Sequence, residues 1–190
     1  MKTIIITGSR NSKGQTAKAT GALIEGLNHV KTQQVGSNVA SVEEFLLPRM
    51  KIERCRQCDD NGWGICRTEG NCIIEDDFQM LVDKIKDSDL VIFATPVYFS
   101  DLSESLRAFL DRLRRTCMNE AGKKGIEGKR AIGICVAGGR GGGAPECTVR
   151  LEKVLRTCGF DLLDFIPIRR QNLDDKLDVL RTIGRNLAGK

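Results

Sequence analysis

A chain of 190 residues with 41% hydrophobic content can bury one full core but leaves little room for a second independent domain, so residues 1–190 are read as a single domain. Lys and Arg number 30 against 25 Asp and Glu, a scattered net charge of +5 that suits an anionic small molecule and does not call for nucleic acid. No apolar run approaches the roughly twenty residues of a membrane span, and the run in Met1–Thr7 is too short for a signal segment, so a cytoplasmic protein is expected.

Lys2–Thr7 reads as a buried strand. It runs into Gly8-Ser9-Arg10-Asn11-Ser12-Lys13-Gly14-Gln15-Thr16, a loop with hydroxyls, two glycines, two cations and the start of a helix. Backbone N–H groups and the positive helix end make such a place an anion site, usually for phosphate. The motif is not that of P-loop NTPases, because no Lys-Ser/Thr pair follows Gly14. The bland reading is a polar turn with Thr16 or Ser12 as a helix cap. Thr16–Leu27 is the helix, and Val39–Phe45 a weaker strand.

Four cysteines then fall within 18 residues as Cys55-x2-Cys58-x7-Cys66-x5-Cys72, in a polar, glycine-rich stretch suited to a wrapping loop. Thiolate ligands suit iron–sulfur clusters and zinc and disfavour hard cations. With no signal segment, eight cysteines in this chain point to metal or redox work rather than structural disulfides.

Phe78, Leu81, Val82 and Ile85 form a helical stripe, and Leu90–Ala94 a buried strand. The loop after it, Pro96-Val97-Tyr98-Phe99-Ser100, carries two of only nine aromatics in the chain. It would wall a flat heteroaromatic ligand; alternatively Tyr98 and Phe99 merely cap the core. Leu102, Leu106, Phe109, Leu110 and Leu113 have clean amphipathic helical spacing. Ala131–Ala137 is a strand followed by Gly138-Gly139-Arg140-Gly141-Gly142-Gly143, where five glycines in six positions allow backbone to approach a ligand closely. Gly139-x-Gly141-x-x-Ala144, with Asp164 beyond, loosely matches the dinucleotide fingerprint. That reading is set aside, since the loop follows the fourth strand and Asp164 falls inside a strand. Cys147 to Cys158 lie on a helix, Leu162–Ile168 is the last strand and Asp174–Leu187 the last helix. Cys117, Cys135, Cys147 and Cys158 read as small buried hydrophobes. His29 ends a helix and is given no catalytic role.

Five strands alternating with five helices predict an α/β domain with a parallel sheet. Its ligand should lie beyond the carboxyl ends of the strands, where the three loops emerge. Together these elements resemble the flavodoxin-like NAD(P)H-dependent FMN reductases, and most closely their iron–sulfur flavoprotein branch. The most specific pieces are Cys72-Ile73-Ile74-Glu75-Asp76-Asp77-Phe78, Ala94-Thr95-Pro96-Val97-Tyr98-Phe99 and Leu106-Arg107-Ala108-Phe109-Leu110-Asp111-Arg112. The resemblance implies a flavodoxin-like three-layer fold, a five-stranded parallel sheet in order 2-1-3-4-5 with the Cys-rich loop 51–75 inserted, bound FMN, and a homodimer or homotetramer with flavins near subunit interfaces. By it, Ser9, Arg10, Lys13, Gly14, Gln15 and Thr16 would hold the FMN phosphate. Pro96, Val97, Tyr98 and Phe99 would cradle the isoalloxazine, and Gly138, Gly139, Arg140 and Gly141 would close over its other edge.

Two departures stand out. Relatives usually carry Arg where this chain has Asn11, which leaves the charge to Arg10 or Lys13. The branch's compact motif has two residues between its second and third cysteines, whereas here seven separate Cys58 from Cys66. Cys55, Cys58, Cys66 and Cys72 are assigned to a 4Fe–4S cluster, with zinc or a metal-free loop as alternatives. The expected activity is an FMN-dependent oxidoreductase fed by NAD(P)H or a ferredoxin-like donor. The rivals are an electron-carrier or redox-sensing flavoprotein, and a zinc-loop interaction module on a flavodoxin scaffold.

Overall fold

The computed structural model describes residues 1–29 and 41–189; the expected start of the second strand at Val39 lies outside the described residues. The elements run β1 (Lys2–Thr7), α1 (Gln15–His29), β2 (Ser41–Leu46), α2 (Ile65–Thr68), α3 (Phe78–Lys86), β3 (Leu90–Pro96), α4 (Glu104–Thr116), α5 (Glu120–Lys123), β4 (Arg130–Ala137), α6 (Ala144–Cys158), β5 (Asp161–Arg169) and α7 (Leu173–Ala188). The five expected helices are present, and two four-residue helices, α2 and α5, join them.

All five strands pair in parallel in the order β2-β1-β3-β4-β5. Residues of the central strands β1, β3 and β4 alternate between two cores, as the period of a pleated strand requires. Ile4, Ile6, Val91, Phe93 and Cys135 join α3, α4 and α6 on one face. Ile5, Ile92, Ala94, Ile134 and Ile166 join α1 and α7 on the other. Both faces of the central strands are therefore covered, which is why they read as continuous apolar runs.

The order reverses between β1 and β3, the switch point at which such sheets open a crevice. Loops 8–14 and 97–103 flank that crevice, and loop 138–143 follows β4 beside them. Helix α4 begins at Glu104 rather than at Leu102, because Ser103 is extended and its hydroxyl accepts the Leu106 N–H as an N-cap.

Candidate functional site

The three loops meet in one open pocket, about 850 Å³ of space between their walls including the mouth. Ser9, Gly14, Gln15 and Thr16 line it from the first loop, Pro96, Val97 and Tyr98 from the second, and Gly138 from the third. Asn11 and Gly142, from the first and third loops, also line it, as do Val136 and Ala137 at the end of β4, which were not singled out from the sequence. Arg10, Lys13, Phe99, Gly139, Arg140 and Gly141 are not among the lining residues. Arg10 and Lys13 are exposed, and Phe99 stands wholly in solvent at a left-handed φ of 49°.

Loop 8–14 is shaped by its own polar groups. The Asn11 N–H donates to Ser9 Oγ (3.3 Å), the Lys13 N–H to Asn11 Oδ1 (3.0 Å) and the Gly14 N–H to the Asn11 carbonyl (3.1 Å). The first-turn N–H groups of α1 have no intrahelical acceptor and face this end of the sheet. Neither Gly138 nor Gly142 has an atom within 4 Å of where a Cβ would sit, so these glycines leave the wall open rather than relieve crowding. Among the described residues, no Asp, Glu, His, Lys or Arg lines the pocket. Hydroxyls and peptide dipoles at one end, an aromatic wall and bare backbone at the other fit a phosphorylated flat heterocycle.

A second cavity lies in the cysteine loop, and Cys55, Cys58, Cys66 and Cys72 all line it. Among the described residues, no three His, Cys, Asp or Glu are gathered as ligands of one ion. The four thiols share the wall of one cavity without being gathered at one point. Arg56, Arg112 and Arg115 also line it, and among the described residues no carboxylate does.

The loop is ordered by contacts within the chain. At its neck the Lys51 N–H donates to Asp77 Oδ2 (2.6 Å), the Glu53 N–H to Asp76 Oδ2 (2.8 Å) and the Asp77 N–H to the Lys51 carbonyl (2.9 Å). The five residues lengthening the Cys58–Cys66 gap form a turn, with Asp59 N–H on the Trp63 carbonyl (2.8 Å) and Gly62 N–H on the Asp59 carbonyl (2.7 Å). Arg115 pins this turn, donating to the Gly62 carbonyl (2.6 Å) and covering Trp63, which also receives Arg67. Gly70 and Gly122 touch backbone to backbone; a Cβ on Gly70 would lie 2.2 Å from the Gly122 nitrogen.

Beside the thiols sits Arg112, which the sequence offered only as part of a family-like stretch and without a role. Arg112 is 1% exposed, and its guanidinium grips Asp76 with both Nη atoms (2.6 and 2.9 Å). Nη1 also donates to the Glu53 carbonyl (3.1 Å) and Nη2 to that of Ile74 (3.3 Å), and Phe78 stacks on the guanidinium 4.2 Å away. Burial disfavours the charge on Arg112, but Asp76 and the Cys72 sulfur beside it outweigh that and hold its pKa above the ordinary value. Burial likewise pushes Asp76 up, yet the Arg112 guanidinium and the N–H groups of Glu53 and Phe78 hold its carboxyl below the ordinary range.

The other four cysteines are buried. The Cys135 thiol and burial push Cys147 up, and the Cys117 thiol and burial push Cys158 up, so both remain protonated thiols in the core. Among the described residues no helix is long and apolar enough to cross a membrane.

A family model described as NADPH-dependent FMN reductase matches residues 1–172. An iron-sulfur flavoprotein of Methanocaldococcus jannaschii is 32% identical over 170 residues, covering 88% of this chain and 75% of its own. A second from the same organism is 29% identical over 140 residues, covering 74% and 66%. The chain thus spans between 46% and 75% of the length of the first curated relatives it matches. An NAD(P)H:quinone oxidoreductase from Methanothermobacter marburgensis superposes with a TM-score of 0.67 at 21% identity, over 98% of this chain and 96% of that one, a likeness of fold.

Proposed function

The chain belongs to the NADPH-dependent FMN reductase family, and on that premise we propose that it is an FMN-dependent oxidoreductase that also carries a 4Fe–4S cluster on Cys55, Cys58, Cys66 and Cys72. Electrons would come from NAD(P)H or a ferredoxin-like donor and leave to an acceptor. The single observation that carries the flavin reading is the meeting of all three loops in one pocket at the sheet's switch point.

When bound, FMN supplies hydride and single-electron transfer, and an iron–sulfur centre single-electron transfer. The protein's part is binding and orientation. Ser9, Thr16 and the N–H groups opening α1 hold the phosphate; Arg10 and Lys13 at most steer it from the rim. Pro96, Val97 and Tyr98 support one side of the ring system, and Gly138 and Gly142 let backbone come against the other. Among the described residues the pocket offers no carboxylate, imidazole or amine, and no side-chain acid or base is assigned to the reaction.

The cluster reading is supported by four thiols on the wall of one cavity, three arginines beside them and, among the described residues, no carboxylate there. A four-thiolate cluster is an anionic body held by soft donors, and four thiols with three arginines beside them are the donor chemistry it calls for. A single zinc ion would draw the four sulfurs to one point. The names of the curated relatives point the same way. The oligomeric state is proposed as a homodimer or homotetramer from family likeness alone.

The test is anaerobic purification followed by an absorption spectrum and an assay of NAD(P)H oxidation with a soluble acceptor. Flavin bands with continuous turnover support a reductase. Flavin bands without turnover, until a partner protein is added, would make it a carrier, and colourless protein would end the flavin reading.

A further inference from the structure

Arg112 has five N–H donors, and four of them are spent on Asp76 and on the carbonyls of Glu53 and Ile74. The fifth, Nε–H, is buried with no partner among the described residues. Leaving a donor of a charged group unsatisfied in a buried place is costly. Such a donor calls for an explanation in the site it borders.

Three observations say what it serves. Arg112 lines the cavity that the four cysteines share. Cys72 and Arg112 stand on the wall of the same cavity, and every N–H of the guanidinium except Nε is otherwise engaged. The guanidinium cannot swing away, because the carboxylate fork of Asp76, which is itself fully buried, and the Phe78 ring fix its plane. The carbonyls it holds, from Glu53 and Ile74, flank the cysteine loop at its two ends, so one side chain ties both arms of the loop to α4.

The geometry points to Arg112 as a positioning residue of the metal centre: braced by Asp76, it aims Nε–H and a fixed positive charge at Cys72 and the sulfur-lined cavity, and thereby raises the electron affinity of the centre held there. A cation next to an anionic thiolate cluster favours the form with one more electron, and an N–H···S bond acts in the same direction. This inference rests on the cluster reading above. It adds to that reading the device that sets the potential.

The test uses the full chain, reconstituted anaerobically with iron and sulfide, as wild type, Arg112→Met and Arg112→Lys. Iron and FMN per chain are measured first, then the midpoint potential by redox titration followed by electron paramagnetic resonance. Arg112→Met is expected to keep FMN and to shift the midpoint to more negative potential. Arg112→Lys, which restores charge without the fork, should fall between Met and wild type. Wild type labelled with 15N-arginine provides a readout that does not depend on a variant folding. Its reduced centre should show a 15N coupling in pulsed resonance spectra that is absent from Arg112→Lys. A wild type that takes up iron, shows no such coupling, and has the same midpoint in every variant that retains iron would overturn the role of Arg112 alone. A wild type that takes up no iron would fail the cluster reading, and this inference with it.

Discussion

Gly8 and Ser103 touch where no side chain could stand between them: a Cβ on Gly8 would lie 2.0 Å from Ser103 Oγ. Ser103 is the N-cap of α4, its N–H donates to Thr95 Oγ1 (3.0 Å), and the Ser105 hydroxyl donates to the Gly8 carbonyl (3.3 Å). The phosphate-type loop and the aromatic loop are thereby locked to each other across the switch point. Gly8→Ala should overpack this lock, costing about 1–3 kcal/mol in chemical denaturation. Its FMN dissociation constant should rise about tenfold or more, as both loops shift. Adding Ser103→Gly removes the clashing oxygen and should recover part of the FMN affinity, although the cap is then lost. Equal FMN binding by Gly8→Ala and wild type would show that the two loops do not act together.

The phosphate end of the pocket is lined by hydroxyls and backbone and not by cations. FMN should therefore bind more tightly than riboflavin, and Arg10→Ala or Lys13→Ala should weaken FMN only a few-fold. Thr16→Val, which replaces a buried hydroxyl on the pocket wall by a methyl, should cost about 1 kcal/mol, roughly fivefold in affinity. Fluorescence titration of the apoprotein with both flavins measures all four. Equal affinity for FMN and riboflavin would remove loop 8–16 from the site.

Much of this was legible in the sequence. The central strands have both faces covered, so Ile4–Ile6 and Leu90–Ala94 could only be continuous apolar runs, and the loops after them had to open at the ligand edge. What was not legible depended on distant partners. Arg112 lies on a helix otherwise marked by Leu106, Phe109, Leu110 and Leu113, and a charge there reads as a solvated face. Its burial is decided by Asp76, 36 residues earlier. The extra residues between Cys58 and Cys66 gave no sign of the turn that Arg115 pins. Phe99 promised a wall for a ring; backbone twists of 49° at Phe99 and 61° at Ser100 leave its side chain outside.

The Asp76–Arg112 pair makes a pH prediction. The folded pKa of Asp76 is depressed, so its contribution to stability is complete above the unfolded value of about 4 and is lost as pH falls through the lower folded value. Acid unfolding should therefore begin below about pH 4 and soften in Asp76→Asn. At neutral pH the same change strands a buried guanidinium and should cost about 3–5 kcal/mol. Urea denaturation at pH 7 and pH 3 compares the two proteins. A loss that is as large at pH 3 as at pH 7 would mean the carboxylate charge is not what holds Arg112.

The cysteine quartet makes the prediction most exposed to failure. Cys55, Cys58, Cys66 and Cys72 line one cavity, and the neck of their loop is closed by Asp76 and Asp77 without any metal. Protein purified without oxygen should be brown and carry about four irons per chain, as one 4Fe–4S cluster requires. Cys58→Ala removes one thiolate from a loop that the neck bonds and Arg115 still hold, so the fold should survive. Iron should be lost while FMN stays bound, because the flavin pocket is built from loops 8–16, 96–100 and 138–142, and none of the four cysteines lines it. Metal analysis beside the flavin spectrum reads both at once. One zinc and no iron per chain would mean that the sulfurs close onto a single ion. Neither metal, even after reconstitution with iron and sulfide, would leave the quartet as a thiol loop on a plain flavin reductase. Loss of FMN together with iron in Cys58→Ala would mean that the cysteine loop supports the flavin pocket after all, and that the two cavities are not independent.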